Sequence, residues 1–132
     1  MAGQMESLMI LIAGPYRSGT GDVPAKLAAN VRAMEECALP LFRAGHVPIV
    51  GEWLALPLVD LAGSTHIGDA AFDEIFHPIV ERLLARCDAV LRIGGASQGA
   101  DQMVERAREC GLRVFTRLQE IPGCAGVAEP VG

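Results

Sequence analysis

Several things are missing from this 132-residue chain, and each absence removes a class of function. No two of its four cysteines (Cys37, Cys87, Cys110, Cys124) form a C-x-x-C pair, so neither a zinc site nor a thioredoxin-like redox centre has a basis here. Cys37, Cys87 and Cys110 fall in or beside apolar helical stripes, where a free thiol behaves as a small hydrophobe. No apolar run approaches the roughly 18 residues of a membrane span, and no cationic segment leads an apolar one. Basic residues are few: 11 Lys and Arg stand against 16 Asp and Glu, for a net charge of −5. Counterion-release binding to nucleic acid needs clustered cations, and none are present. These absences predict a cytoplasmic protein without a nucleic-acid partner, a membrane, a metal or a cofactor.

Two phosphate-binding motifs are also incomplete. "GPYRSGTG" (Gly14–Gly21) has the glycine spacing of a Walker A loop, but Thr20 stands where the lysine belongs. Without that ammonium the β- and γ-phosphates of a nucleoside triphosphate lose their main charge partner. The dinucleotide fingerprint fails as well, because Gly19-x-Gly21 has no third glycine three residues on.

What is present is a repeated unit. Leu8–Ala13, His46–Val50, Asp88–Ile93 and Leu112–Thr116 are short apolar runs of the kind buried on both faces of a parallel sheet. Pro48 puts the second at a sheet edge or strand end. Between them lie helical patterns: Leu27, Val31, Met34, Ala38 and Leu41; then Phe72 to Leu84; then Ala100, Met103, Val104 and Ala107. Asp22 is placed to cap the first helix, with Pro24 in its first turn. Pro40 and Pro78 predict a kink or a break, and His77 reads as a helix boundary. Residues 51–68 read as an irregular connection with at most a helical turn. The length suits one domain, 1–121, with residues 1–7 frayed and 122–132 a disordered tail.

Alternating strands and helices predict an α/β, three-layer, doubly wound parallel sheet of the flavodoxin or Rossmann kind, with four to five strands. Ligands bind such sheets at the carboxyl ends of strands, where strand order reverses. The two glycine-rich loops, 14–23 and 94–99, both fall at such ends, which points to one shared site. The first offers backbone amides, the Tyr16 ring, the Arg17 guanidinium, and the Ser18 and Thr20 hydroxyls, a set suited to an anion and a flat ring. The second leads into a helix N-terminus that attracts an anion, with Ser97 to add a hydrogen bond. Asp101, in the first turn of that helix, either compensates its dipole or faces the ligand. Asn30 either faces solvent or reaches back to the first loop. Glu52-Trp53 follows the second strand and so lies at the ligand-binding end of the sheet, where Trp53 either plugs the core or walls the pocket. His46 and His66 read as surface residues and Asp88 as structural.

At these residues the chain resembles a known group. "ILIAGPYRSG", "NVRAMEECALPLFRAGHVPIV" and "RCDAVLRIGGASQGADQMVERARECGLRVF", in that order, look like the DUF4406 family. Its members are small relatives of nucleoside 2-deoxyribosyltransferases and deoxynucleoside 5′-monophosphate N-glycosidases. The resemblance implies a homodimer or larger oligomer and a site where the bond between a sugar and a nucleobase is cleaved or exchanged. It implies that Ser97 and Gly99 bind a 5′-phosphate, with Gly14, Tyr16 and Arg17 facing them. In the enzymes a glutamate four residues after that glycine attacks the anomeric carbon. This chain has Met103 there. Asp101 and Glu105 each point about 160° away from it on a helix. Asp101, nearer the helix N-terminus, is the expected substitute, and a nucleotide-binding domain without catalysis is the alternative.

Overall fold

A computed structural model describes residues 6–129. Four strands, β1 (Met9–Ala13), β2 (Val47–Val50), β3 (Ala89–Arg92) and β4 (Arg113–Phe115), form an all-parallel sheet in the order β2-β1-β3-β4. Four helices flank it: α1 (Pro24–Arg43), α2 (Glu52–Leu61), α3 (Ala70–Leu84) and α4 (Gln98–Glu109). A short 3-10 turn at Leu118–Glu120 follows β4. The α/β three-layer class is therefore as the sequence implies, with four strands among the described residues.

Strand pleating sends alternate side chains to opposite faces. Ile10, Ile12, Ala89, Leu91 and Phe115 pack with Met34, Cys37, Ala38 and Leu41 of α1. Leu11, Ala13 and Val90 pack on the other face with α2, α3 and α4 through Ala55, Val59, Phe72, Phe76, Val80, Leu84, Ala100, Met103 and Ala107. Because both faces are covered, the strands read as unbroken apolar runs. The chain leaves β1 for β2 on one side and β3 for β4 on the other, so order reverses between β1 and β3. The loops after those two strands lie side by side. They are in close contact: a Cβ added to Gly94, at φ +78°, would sit 2.7 Å from Cδ of Pro15. Glycine is required there by both its backbone angle and the Pro15 ring.

Several expectations are corrected. Of the kink or break expected at Pro40 and Pro78, the break is ruled out: α1 runs through Pro40 to Arg43, with Leu41 beyond the proline fully buried and holding the last turn in place. α3 runs through Pro78 for the same reason, between buried Phe76 and Val80, which leaves His77 inside the helix. Residues 52–61 form a full helix whose buried side is Glu52, Ala55 and Val59. Exposed Trp53, Leu54, Leu58 and Leu61 obscure that periodicity. Asp22 does not cap α1. The cap position is Val23, without a side-chain bond, and Asp22 sits at φ +60°.

His46 is buried, not on the surface. Its Nδ1 accepts from the Leu8 amide at 3.1 Å, which makes Nε2 the donor to the Pro122 carbonyl at 2.7 Å. The C-terminal segment is ordered as far as it is described: Ile121 and Cys124 are in the core, and Gln119 donates to the Val127 carbonyl. At the other end Ser7 donates to the Gly45 carbonyl and Glu6 pairs with Arg113, so residues 6 and 7 are held; residues 1–5 and 130–132 lie outside the described range. Asp88 is structural, accepting from the Met9 amide at 2.8 Å.

Candidate functional site

A cavity of about 150 Å³ opens at the carboxyl end of the sheet, on the face covered by α3 and α4. Both glycine-rich loops line it. Gly14, Tyr16, Arg17 and Ser18 come from the first; Ser97 and Gly99 come from the second and the start of α4. Six of the seven residues expected to bind ligand therefore meet in one place. The seventh, Asn30, is behind it. Its Nδ2 donates to the Tyr16 carbonyl at 2.8 Å, so it fixes the loop backbone, and its side chain borders a separate hollow on the α1 face.

One end of the cavity is formed by the start of α4. Ser97, buried, accepts from the Ala100 amide at 3.1 Å and closes the helix N-terminus. At Gly99, in the first turn, a Cβ would lie 3.5 Å from the His77 ring. His77 lines the cavity as well. The position was legible only as a proline-flanked boundary; what brings the imidazole here is the uninterrupted α3.

Three stacked rings supply the apolar part. Tyr16 and Phe76 have centroids 5.3 Å apart, and Phe76 and Phe72 are 4.8 Å apart, both pairs near parallel. Burial raises the Tyr16 phenol, and the nearby carboxylates Glu52 and Asp22 raise it further, so it stays a neutral hydroxyl. Arg17 is already engaged. It donates to both oxygens of Asp22, at 3.1 and 3.0 Å, and lies 5.8 Å from the Phe72 ring centroid. The Asp22 bond holds the guanidinium in its charged form. Gly68, between α2 and α3, lies against it: a Cβ there would be 3.4 Å from Nη1.

Asp101 does not take the catalytic place expected of it. Its side chain is 70% exposed and pairs with Arg92 at 3.1 Å, and it does not line the cavity. Helix geometry is the cause: Ala100 and Met103 face inward from α4, which turns Asp101 out. There it compensates the helix dipole and, through Arg92, ties down the Gly95 carbonyl. Trp53 neither fills the core nor walls the pocket. It is 42% exposed and donates to Glu35 of α1 at 2.8 Å.

The acidic residue that does line the cavity is Glu52, the first residue of α2. It is only 8% exposed. Among the described residues no other side chain bonds to it. Burial pushes its carboxyl up to about 7, and its own backbone N–H, the one group favouring the charge, offsets this only in part. Gly51 lets it in: a Cβ on Gly51 would be 2.9 Å from Cγ2 of Val80, so only glycine brings the start of α2 this close to α3. The sequence placed Glu52 at the correct end of the sheet; its burial depends on α2 being a helix. Among the described residues no group of three or more His, Cys, Asp or Glu side chains is arranged to hold a metal ion. No helix described is long and apolar enough to cross a membrane.

The fold defines the class: a parallel α/β protein with a cavity at the point where strand order reverses, the place where sheets of this kind bind ligands. No protein-family model matches the chain, and no curated protein matches it at a significant level.

Proposed function

We propose that the protein binds a nucleoside 5′-monophosphate in this cleft and acts on its N-glycosidic bond, as a hydrolase or 2-deoxyribosyltransferase of the DUF4406 kind. The observation that carries the proposal is the meeting of both glycine-rich loops in one cavity with two unlike ends. The Ser97-capped start of α4, with Gly99 and His77, suits a phosphate. The Tyr16, Phe76 and Phe72 rings suit a flat base or the apolar face of a sugar. The missing Walker lysine agrees with a single phosphate.

A second reading, a nucleotide-binding domain without catalysis, is favoured by Met103 in the cavity wall and by Asp101 outside it. Both readings include self-association. Leu39 and Phe42 of α1, Val47 of β2, and Leu54, Leu58 and Leu61 of α2 leave apolar surface exposed on both sides of the edge strand.

Thermal shift against nucleosides and their mono- and diphosphates tests binding, since a ligand at 100 times its Kd stabilises by about 2.7 kcal/mol. The monophosphates are expected to give the largest shift. Absence of a shift with every nucleoside and nucleotide overturns the proposal. Base release, followed by chromatography, then separates the enzyme from the binding domain.

A further inference from the structure

We infer that Glu52 is the general acid of N-glycoside cleavage in this cleft, giving its proton to the departing nucleobase from the wall opposite α4. The inference rests on the nucleotide reading above and decides in favour of catalysis.

Among the described residues, Glu52 is the only carboxyl-bearing residue that lines the cavity. Asp101 pairs with Arg92, Asp22 with Arg17, and Asp69 is consumed by the Phe72, Thr65 and His66 amides and the Ser64 hydroxyl. Glu52 has none of these ties. It is more than nine-tenths buried, lines the cavity, and among the described residues has no side-chain partner. Burying an ionisable group whose one hydrogen bond comes from its own backbone N–H costs stability, and a carboxyl so perturbed within a cleft is a candidate functional group. Its environment also suits the task. A carboxyl raised to about 7 is largely protonated below neutrality and can both give and regain a proton there.

The other lining groups do not offer a second carboxylate or an activated nucleophile. Ser97 Oγ accepts from the Ala100 amide, Tyr16 is held as the phenol, Met103 is a thioether, and among the described residues neither the Ser18 hydroxyl nor the His77 ring has a hydrogen-bond partner that would activate it. The reaction therefore runs with water. As the bond from C1′ to the base nitrogen breaks, its electron pair goes to the base, and the Glu52 proton goes to a base nitrogen. A water oxygen bonds to C1′ and its released proton restores Glu52, directly or through solvent. The products are free base and sugar phosphate, and no bond forms between sugar and protein.

The test uses the four natural deoxynucleoside 5′-monophosphates on the full chain and on Glu52→Gln. Glu52→Gln keeps the size of the side chain, and its fold and binding are checked by its melting curve with and without nucleotide. Expected are an unchanged ligand shift in Glu52→Gln and a fall in base release of about 100-fold or more, the usual size of a general-acid effect. p-Nitrophenyl 2-deoxyriboside 5-phosphate, whose leaving group needs no proton, is expected to retain most of its rate in Glu52→Gln.

Three outcomes overturn the inference while leaving binding intact: nucleotide binds without base release by the parent protein, Glu52→Gln releases base at the parent rate, or both substrates lose rate equally. A covalent adduct on Glu52, seen by intact mass with a 2′-fluoro nucleotide, also overturns it. If no nucleotide shifts the melting curve, the nucleotide reading fails and the inference falls with it.

Discussion

Between about pH 4.5 and about pH 7 the Glu52 carboxyl is ionised in the unfolded chain but protonated in the folded one. The folded state then binds more protons, so stability falls as pH rises through that window and levels off above it. A shift of this size corresponds to about 3 kcal/mol above neutrality. Glu52→Gln removes the dependence. Urea titrations at a series of pH values are expected to show the variant matching its parent near the acid end and exceeding it above neutrality. Equal stabilities at every pH would mean that the carboxyl is not buried as described. Residue identity was legible here and environment was not. The glycine loops, Ser97 and Gly99 declared themselves through chemistry that is local in sequence. Glu52 and His77 acquired their places from helices that the prolines and exposed leucines of α2 and α3 concealed. Asp101 was misplaced for the same kind of reason, since two inward positions on α4 decide which way it points.

At the scale of the element, the cleft depends on how closely the two loops approach. Gly94→Ala puts a Cβ at positive φ and against the rigid Pro15 ring. Overpacking and backbone strain together are expected to cost about 2 kcal/mol or more. The ligand-induced thermal shift should shrink with it, because the Ser97 and Tyr16 sides separate. Gly95→Ala is the control: its Cβ meets open space and the residue is not at positive φ, so it should behave like the parent. The strands were legible to within a residue or so because buried parallel strands are apolar on both faces. Helix ends were less so. Local rules for proline gave way to the burial of Leu41, Phe76 and Val80 further along the same helices.

For the molecule as a whole, the C-terminal segment is part of the fold. Truncation after Ile121 removes buried Cys124 and the carbonyl that completes His46. A loss of about 2–3 kcal/mol is expected from the buried thiol and the orphaned ring N–H, read as a lower urea midpoint. Its Gly, Pro and Ala composition resembles a tail, and the buried Cys124 and the partner His46, 76 residues earlier in the chain, show otherwise. The exposed stripe around β2 sets a second test. Phe42→Asp with Leu61→Asp is expected to lower the apparent mass in light scattering from that of a dimer or larger assembly to that of one chain. A parent protein that is already monomeric would remove self-association from the proposed function.

The lining of the cleft runs from Leu11 to Met103 and draws on β1, α2, α3 and α4. No contiguous fragment much shorter than the domain contains it. Ligand binding and global folding are thus one equilibrium: a cut between these elements abolishes affinity even where the pieces keep their helices. Conversely, every molecule that binds has β1, α2, α3 and α4 assembled. A ligand for this cleft would therefore count the native population directly, and serve as a folding probe before its chemistry is known.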